Sequence, residues 1–275
     1  VCAVLWAHGD LHERIAAVTE RIAKSPRDAK LYFQRAELHR EHEDWKAAWA
    51  DYDEAARLDP ALEPLDRCRG LLLLQSGRAV EAKPYLDRHL ERRPDDGDGY
   101  LIRARALVET GSPLDASRDY TAAIERLPRV QPEHYVERAR ALVQAGPSYL
   151  PTAVRGLDEG IRRLGSNVAL ESVAADIEAD LKRYDAALAR VDRIAAQASR
   201  KEMWLARRGS ILERAGRTAE ARAAYETALK SIESLPPAKR RARATRELEE
   251  SVRAAIARVP EEKAPEEGDA ACSGG

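Results

Sequence analysis

The amino-acid sequence predicts an all-α protein, a right-handed α-solenoid of tandem helix-turn-helix units, and two ladders of small residues with a row of prolines carry that prediction. Ala or Gly recurs at Ala36, Gly70, Ala104, Ala139, Ala175 and Gly209. Ala alone recurs at Ala48, Ala82, Ala116, Ala153, Ala187 and Ala221, stepping by 34, 34, 37, 34 and 34 residues. Pro26, Pro60, Pro94 and Pro128 follow one another at intervals of 34, where a residue that cannot continue a helix closes each unit. A unit of this length cannot bury its apolar face alone, so copies must stack. Composition agrees. One Phe and one Met stand beside abundant Ala, Leu, Arg and Glu, a bias toward helix formers.

Within one 34-residue unit the first full copy places Tyr32 at position 4, Ala36 at 8, His39 at 11, Trp45 at 17, Ala48 at 20, Tyr52 at 24, Ala55 at 27 and Pro60 at 32. Small residues at 8 and 20 let the two helices approach, and bulky residues at 4, 11, 17 and 24 fill the space around them. This pattern resembles the tetratricopeptide repeat family over roughly residues 8 to 235. The resemblance implies a non-catalytic scaffold that docks a peptide or a partner protein on the concave face of the superhelix.

Six units are expected at about 29–62, 63–96, 97–130, 131–166, 167–201 and 202–235. The fourth carries a longer inter-helix turn, "AGPSYLPTA", with Gly146, Pro147 and Pro151. The fifth has Glu171 where an aromatic residue is expected, and this unit and the fourth are the weakest of the array. Residues 8–27 read as the second half of a unit, with Gly9 and Asp10 at its turn. Residues 236–259 read as one capping helix whose buried face is Ala238, Ala242, Thr245, Leu248, Val252, Ala255 and Val259. The tail 260–275 has no apolar periodicity and is expected to be disordered.

Val1 to Ala7 carry no charge. They read as the end of a secretory signal's apolar segment, which would place the protein in the periplasm or outside the cell, or else as the back of a helix. Cys2 lies within this segment as a possible lipidation site. Cys68 and Cys272 are too few and too far apart for a disulfide framework.

Lys and Arg number 46 against 47 Asp and Glu, so no long-range field draws polyanions to the chain. A basic run, Lys239, Arg240, Arg241, Arg243 and Arg246, lacks the interleaved aromatics that stack bases and reads as a solvated helix face. Nucleic-acid binding is therefore the third reading. No Gly-rich phosphate loop, paired CxxC, HExxH helix or nucleophile elbow occurs, so no enzyme activity or cofactor is expected. A second reading is extracytoplasmic copper binding: a mature amino terminus at His8 would chelate the metal with His12 or His42. Solvated residues near loops are the favoured account of these histidines, since ligands at chance spacing are common and no pattern of residues that would orient the imidazoles supports a site.

An Arg recurs at position 7, in Arg35, Arg69, Arg103, Arg138 and Arg208. Asp51 and Asp119, each 16 residues after such an Arg, make an intra-repeat ion pair the expected role. The resemblance implies that the concave face is lined by the first helix of each unit. That row is Phe33, Glu37 and Arg40, then Arg67, Leu71 and Leu74, then Leu101, Arg105 and Val108, then Val136, Arg140 and Val143. An apolar strip flanked by Arg would suit an acidic peptide. Later units change to Ser172, Asp176 and Asp180, then Arg207, Ser210 and Glu213. The Lys, Asn and Arg clamp of chaperone-type members, which grips a terminal carboxylate, is absent.

Overall fold

The computed structural model describes residues 2–259, with side chains described from Asp10 onward. Among the described residues there are fifteen α-helices, one 3-10 turn and no strand. The chain divides into two compact units, 1–146 and 147–275.

The first unit holds α1 (Cys2–Lys24), α2 (Ala29–Glu41), α3 (Trp45–Leu58), α4 (Leu65–Gln75), α5 (Ala79–Arg92), α6 (Gly97–Glu109), α7 (Pro113–Arg126) and α8 (Pro132–Ala145). Capping chemistry sets several of the starts. Asp28, Asp44 and Asp96 each accept a hydrogen bond from a first-turn backbone N–H, and proline opens α7 and α8. The turn inside each pair needs a left-handed residue, which is Gly77 (φ 75°) and Gly111 (φ 78°) but Glu43 (φ 61°) in the first pair.

Burial follows the two ladders. Ala36, Ala48, Ala82, Ala104 and Ala116 are all fully buried. Gly70 faces Leu86 so closely that an added Cβ would lie 2.6 Å from its Cγ. The core passes from pair to pair: Ala36, Ala48, Tyr52 and Ala55 pack with Cys68 and Leu72 of α4. Leu73, Ala82 and Leu86 pack in turn with Ile102 and Ala106 of α6.

The second unit holds a 3-10 turn (Pro147–Tyr149), α9 (Leu150–Leu164), α10 (Val168–Asp180), α11 (Tyr184–Gln197), α12 (Glu202–Arg214), α13 (Thr218–Glu233), α14 (Pro237–Arg240) and α15 (Arg243–Arg258). One continuous core runs from Ala175 through Trp204, Leu212 and Tyr225 to Val252 and Val259.

Four expectations need correction. The inserted loop after Gly146 divides the fourth expected unit, 131–166, so α8 belongs to one compact unit and α9 to the other. Gly9 and Asp10 lie inside α1, which runs without a turn from Cys2 to Lys24. The capping segment 236–259 is two helices, because Ala242 is extended (φ −60°, ψ 138°). Ala238 and Ala242 are consequently exposed, and the buried face begins at Thr245. Glu171, read as a defect, is 2 % exposed and neutralised by Arg190 and Arg193. The tail and its Cys272 lie outside the described residues.

Candidate partner-binding face

Four of the five position-7 arginines, Arg35, Arg69, Arg103 and Arg208, hold neighbouring helices together. Arg35 grips Asp51 through two hydrogen bonds of 2.7 Å, and its third nitrogen reaches Thr19 on α1. Arg103 repeats this with Asp119 at 2.6 and 2.9 Å and with Asp87 on the preceding helix at 2.9 Å. Arg69 bonds Asp53, and Arg208 bonds Asp192, each 16 residues earlier. One planar guanidinium thus joins the second helix of one pair to the next pair, a task that needs a fork of donors. Arg35, Arg103 and Arg138 also lie over Tyr32, Tyr100 and Tyr135, with centroid distances of 5.8, 5.5 and 5.2 Å.

The expected docking row is distributed over α2, α4, α6 and α8. Phe33, Leu71, Leu74 and Val108 are partly buried against the core. Leu101 (8 % exposed) and Val136 (6 %) are core residues, which corrects their expected place in the strip. They occupy positions where the helix face turns inward, so the apolar strip is narrower than the spacing implied.

Three arginines of the row are occupied by stitches between neighbouring helical pairs of the first unit. Arg40 bonds Glu37 at 2.9 Å and Gln75 on α4 at 2.9 Å. Arg67 reaches Asp96 at 3.1 Å. Arg105 grips Glu137 on α8 through bonds of 3.1 and 3.0 Å. Expected as anion anchors for a peptide, these three instead spend their charge on carboxylates of the same unit. The signal for these stitches was present as acidic and amide residues about one repeat length away, but side-chain reach decides which of them meet. Arg140 differs: it is exposed and makes no hydrogen bond or ion pair among the described residues. Val143, one turn later, is 40 % exposed.

Behind this row lies a polar cluster. The Tyr52 hydroxyl donates to Glu37, whose carboxylate also meets Arg40 and Cys68. Burial works against the ionised Glu37, yet the bonds from Arg40 and Tyr52 outweigh it and hold its carboxyl below the usual range. Burial, with Glu37 alongside, pushes the Cys68 thiol up to about 12.

In the second unit the corresponding row is likewise paired. Arg207 bonds Ser172 Oγ at 2.7 Å and Asp176, Arg214 meets Asp180 at 2.8 Å, and Arg258 holds Glu213. Ser210 faces outward, exposed.

His12 and His42 come together, with ring centroids 4.5 Å apart. The His8 side chain lies outside the described ones, and among the described residues no group of three or more His, Cys, Asp or Glu side chains is arranged to hold a metal ion. No helix among the described residues is long and apolar enough to cross a membrane.

A model described as "Tetratricopeptide repeat-like domain" matches residues 166–244, and one described as "Tetratricopeptide repeat" matches residues 69–130, together just over half of the chain. The chain belongs to the tetratricopeptide repeat family. Among solved structures it is similar to a tetratricopeptide repeat protein from Parabacteroides merdae, at 14% identity and a TM-score of 0.55, covering 91% of this chain and 95% of that one. It is also similar to PilW, a type IV pilus biogenesis factor, at 17% identity and a TM-score of 0.58, covering 74% and 95%. MamA from Desulfovibrio magneticus matches at 16% identity and a TM-score of 0.52, covering 58% and 91%. Identities this low establish the tetratricopeptide fold alone. No curated protein sequence matches.

Proposed function

We propose that this tetratricopeptide repeat protein works by stoichiometric docking, holding a partner protein or peptide against the first-helix face of its first unit, with α8 as the anchor. The observation that supports this reading is the pair Arg140 and Val143. Arg40, Arg67 and Arg105 on the same face are paired within the unit, whereas Arg140 keeps its donors for an outside acceptor beside an exposed apolar side chain. An exposed cation next to an apolar contact suits a partner segment that carries a carboxylate and an aliphatic residue. Behind this face the Glu37 carboxylate is committed to Arg40 and Tyr52.

Affinity capture followed by mass spectrometry tests it. Arg140→Glu with Val143→Asp is expected to lose a partner that the unaltered chain retains, while the helical circular dichroism and melting temperature stay the same. Arg105 is a poorer choice for reversal, since its loss would also strand Glu137. Equal capture by both proteins would sink the assignment of this face.

A further inference from the structure

The break between α14 and α15 creates a cleft that the sequence pattern did not show. The α13 helix ends at Glu233, Leu235 and Pro237 carry the chain into α14, and Ala242 then turns it into α15. These segments line an open cleft of about 400 Å³ with Leu235 and Pro237 as its aliphatic part and Arg241 and Arg246 among its lining.

The charges of the cleft do not cancel. Glu249 is gripped by Arg240 at 2.9 Å and by Arg253 at 2.8 Å, and Glu233 also meets Arg253 at 3.2 Å. The bonds from Arg240 and Arg253 pull the Glu249 carboxyl down to about 2, so it stays ionised and committed to them. Arg243, the neighbour on the outer side, pairs with Glu247 at 2.7 Å. Arg241 and Arg246 are exposed, and neither side chain makes a hydrogen bond or ion pair among the described residues. Two guanidinium groups are therefore in excess beside an aliphatic surface.

We infer that this cleft is a second docking site, which takes an acidic segment of a partner protein, with carboxylates on Arg241 and Arg246 and an aliphatic side chain against Leu235 and Pro237. A guanidinium presents paired donors that match a carboxylate, so each of the two arginines can take one carboxylate of a segment lying along the cleft. Nucleic acid fits less well. The cleft has no aromatic side chain for stacking a base, and its aliphatic part, Leu235 and Pro237, matches an apolar side chain rather than a sugar-phosphate backbone.

The test is a fluorescence-anisotropy titration of the full chain with a fluorescein-labelled Glu-Glu-Leu-Glu-Glu peptide at low salt. Saturable binding is expected, weakened about tenfold by Arg241→Glu with Arg246→Glu. Both residues are solvent-exposed and unpaired, so the folded state should be preserved, and an unchanged melting temperature verifies this. Arg140→Glu, on the face discussed above, should leave the peptide affinity unchanged, so the two sites succeed or fail separately. Absence of saturable binding, equal binding by the double variant, or weakening by Arg140→Glu instead would each overturn the inference. Tighter binding of a short oligothymidylate through the same arginines would assign the cleft to nucleic acid. A gain in peptide affinity on changing Glu261, Glu262, Glu266 and Glu267 to Gln would assign it to the chain's own acidic tail; either result overturns the proposal.

Discussion

Replacing Arg190 with Leu should be among the most damaging single changes in the second unit. Its guanidinium makes four hydrogen bonds to three carboxylates: Glu178 at 2.8 and 3.0 Å, Glu171 at 3.1 Å and Asp158 at 2.8 Å. Glu171 and Glu178 are 2 % and 5 % exposed, so water cannot take over from the lost partner. Removing one member of a buried ion network leaves an uncompensated charge and costs about 3 to 5 kcal/mol. Arg193 still holds Glu171 at 3.0 and 3.2 Å, which favours the lower end of that range. For a chain of this size the loss corresponds to a fall in Tm of about 10 °C. Arg190→Lys keeps the charge without the fork of donors and should fall between the two.

The pH dependence gives a second readout. Burial works to raise the Glu171 carboxyl, but the bonds from Arg193 and Arg190 outweigh it and hold it below its ordinary value. A depressed carboxyl contributes stability that is present above its unfolded value and lost as pH falls through the folded one. The difference between the unaltered chain and Arg190→Leu should therefore be largest near neutrality and shrink below about pH 4.5, where protonated carboxylates no longer need the guanidinium. Urea denaturation monitored by circular dichroism across this range measures it. A loss under about 1 kcal/mol at neutral pH, or a difference that stays constant into acid, would refute the argument.

Three further outcomes are expected. Gly70→Ala and Gly209→Ala each place a Cβ within 2.7 Å of a packed side chain, Leu86 and Tyr225 respectively, and should cost about 1 to 3 kcal/mol by urea denaturation. Tyr52→Phe removes a hydroxyl that donates to the Glu37 carboxylate and should cost about 1.5 to 3 kcal/mol, whereas Tyr135→Phe removes a buried hydroxyl without a hydrogen-bond partner and should be neutral or stabilising. Cys68, buried and with its thiol pushed up to about 12, should resist Ellman's reagent in a folded Cys2→Ser, Cys272→Ser variant and react fully in denaturant.

The helical pairs were legible because their cause is local and periodic. Ala36 and Ala48 are buried where the spacing puts them, and Arg35 meets Asp51, 16 residues later, as the register of two antiparallel helices requires. Glu171 shows the opposite case. Alone in the sequence it interrupts an aromatic pattern, and only the approach of Arg190 and Arg193 from α11 turns it into a neutralised core residue. The break at Ala242 was equally hidden, since alanine favours a helix on propensity.

The docking row divides along the same line. Which residues belong to the first helices followed from the repeat register, but which of them remain available did not. Leu101 and Val136 are buried, and Arg105 is held by Glu137 across an interval of 32 residues.

Read alone, the sequence determined the all-α repeat, its close helix contacts and the intra-repeat pairs of Arg35 with Asp51 and Arg103 with Asp119, because each rests on a recurring spacing. The pairing of Arg69 and Arg208 with the preceding helix did not follow from it. The tertiary structure decided the division after Gly146, the neutralisation of Glu171 and the excess charge of Arg140, Arg241 and Arg246. The last two depend on which long side chains reach one another across helices, and that is a matter of distance in space rather than of position in a repeat.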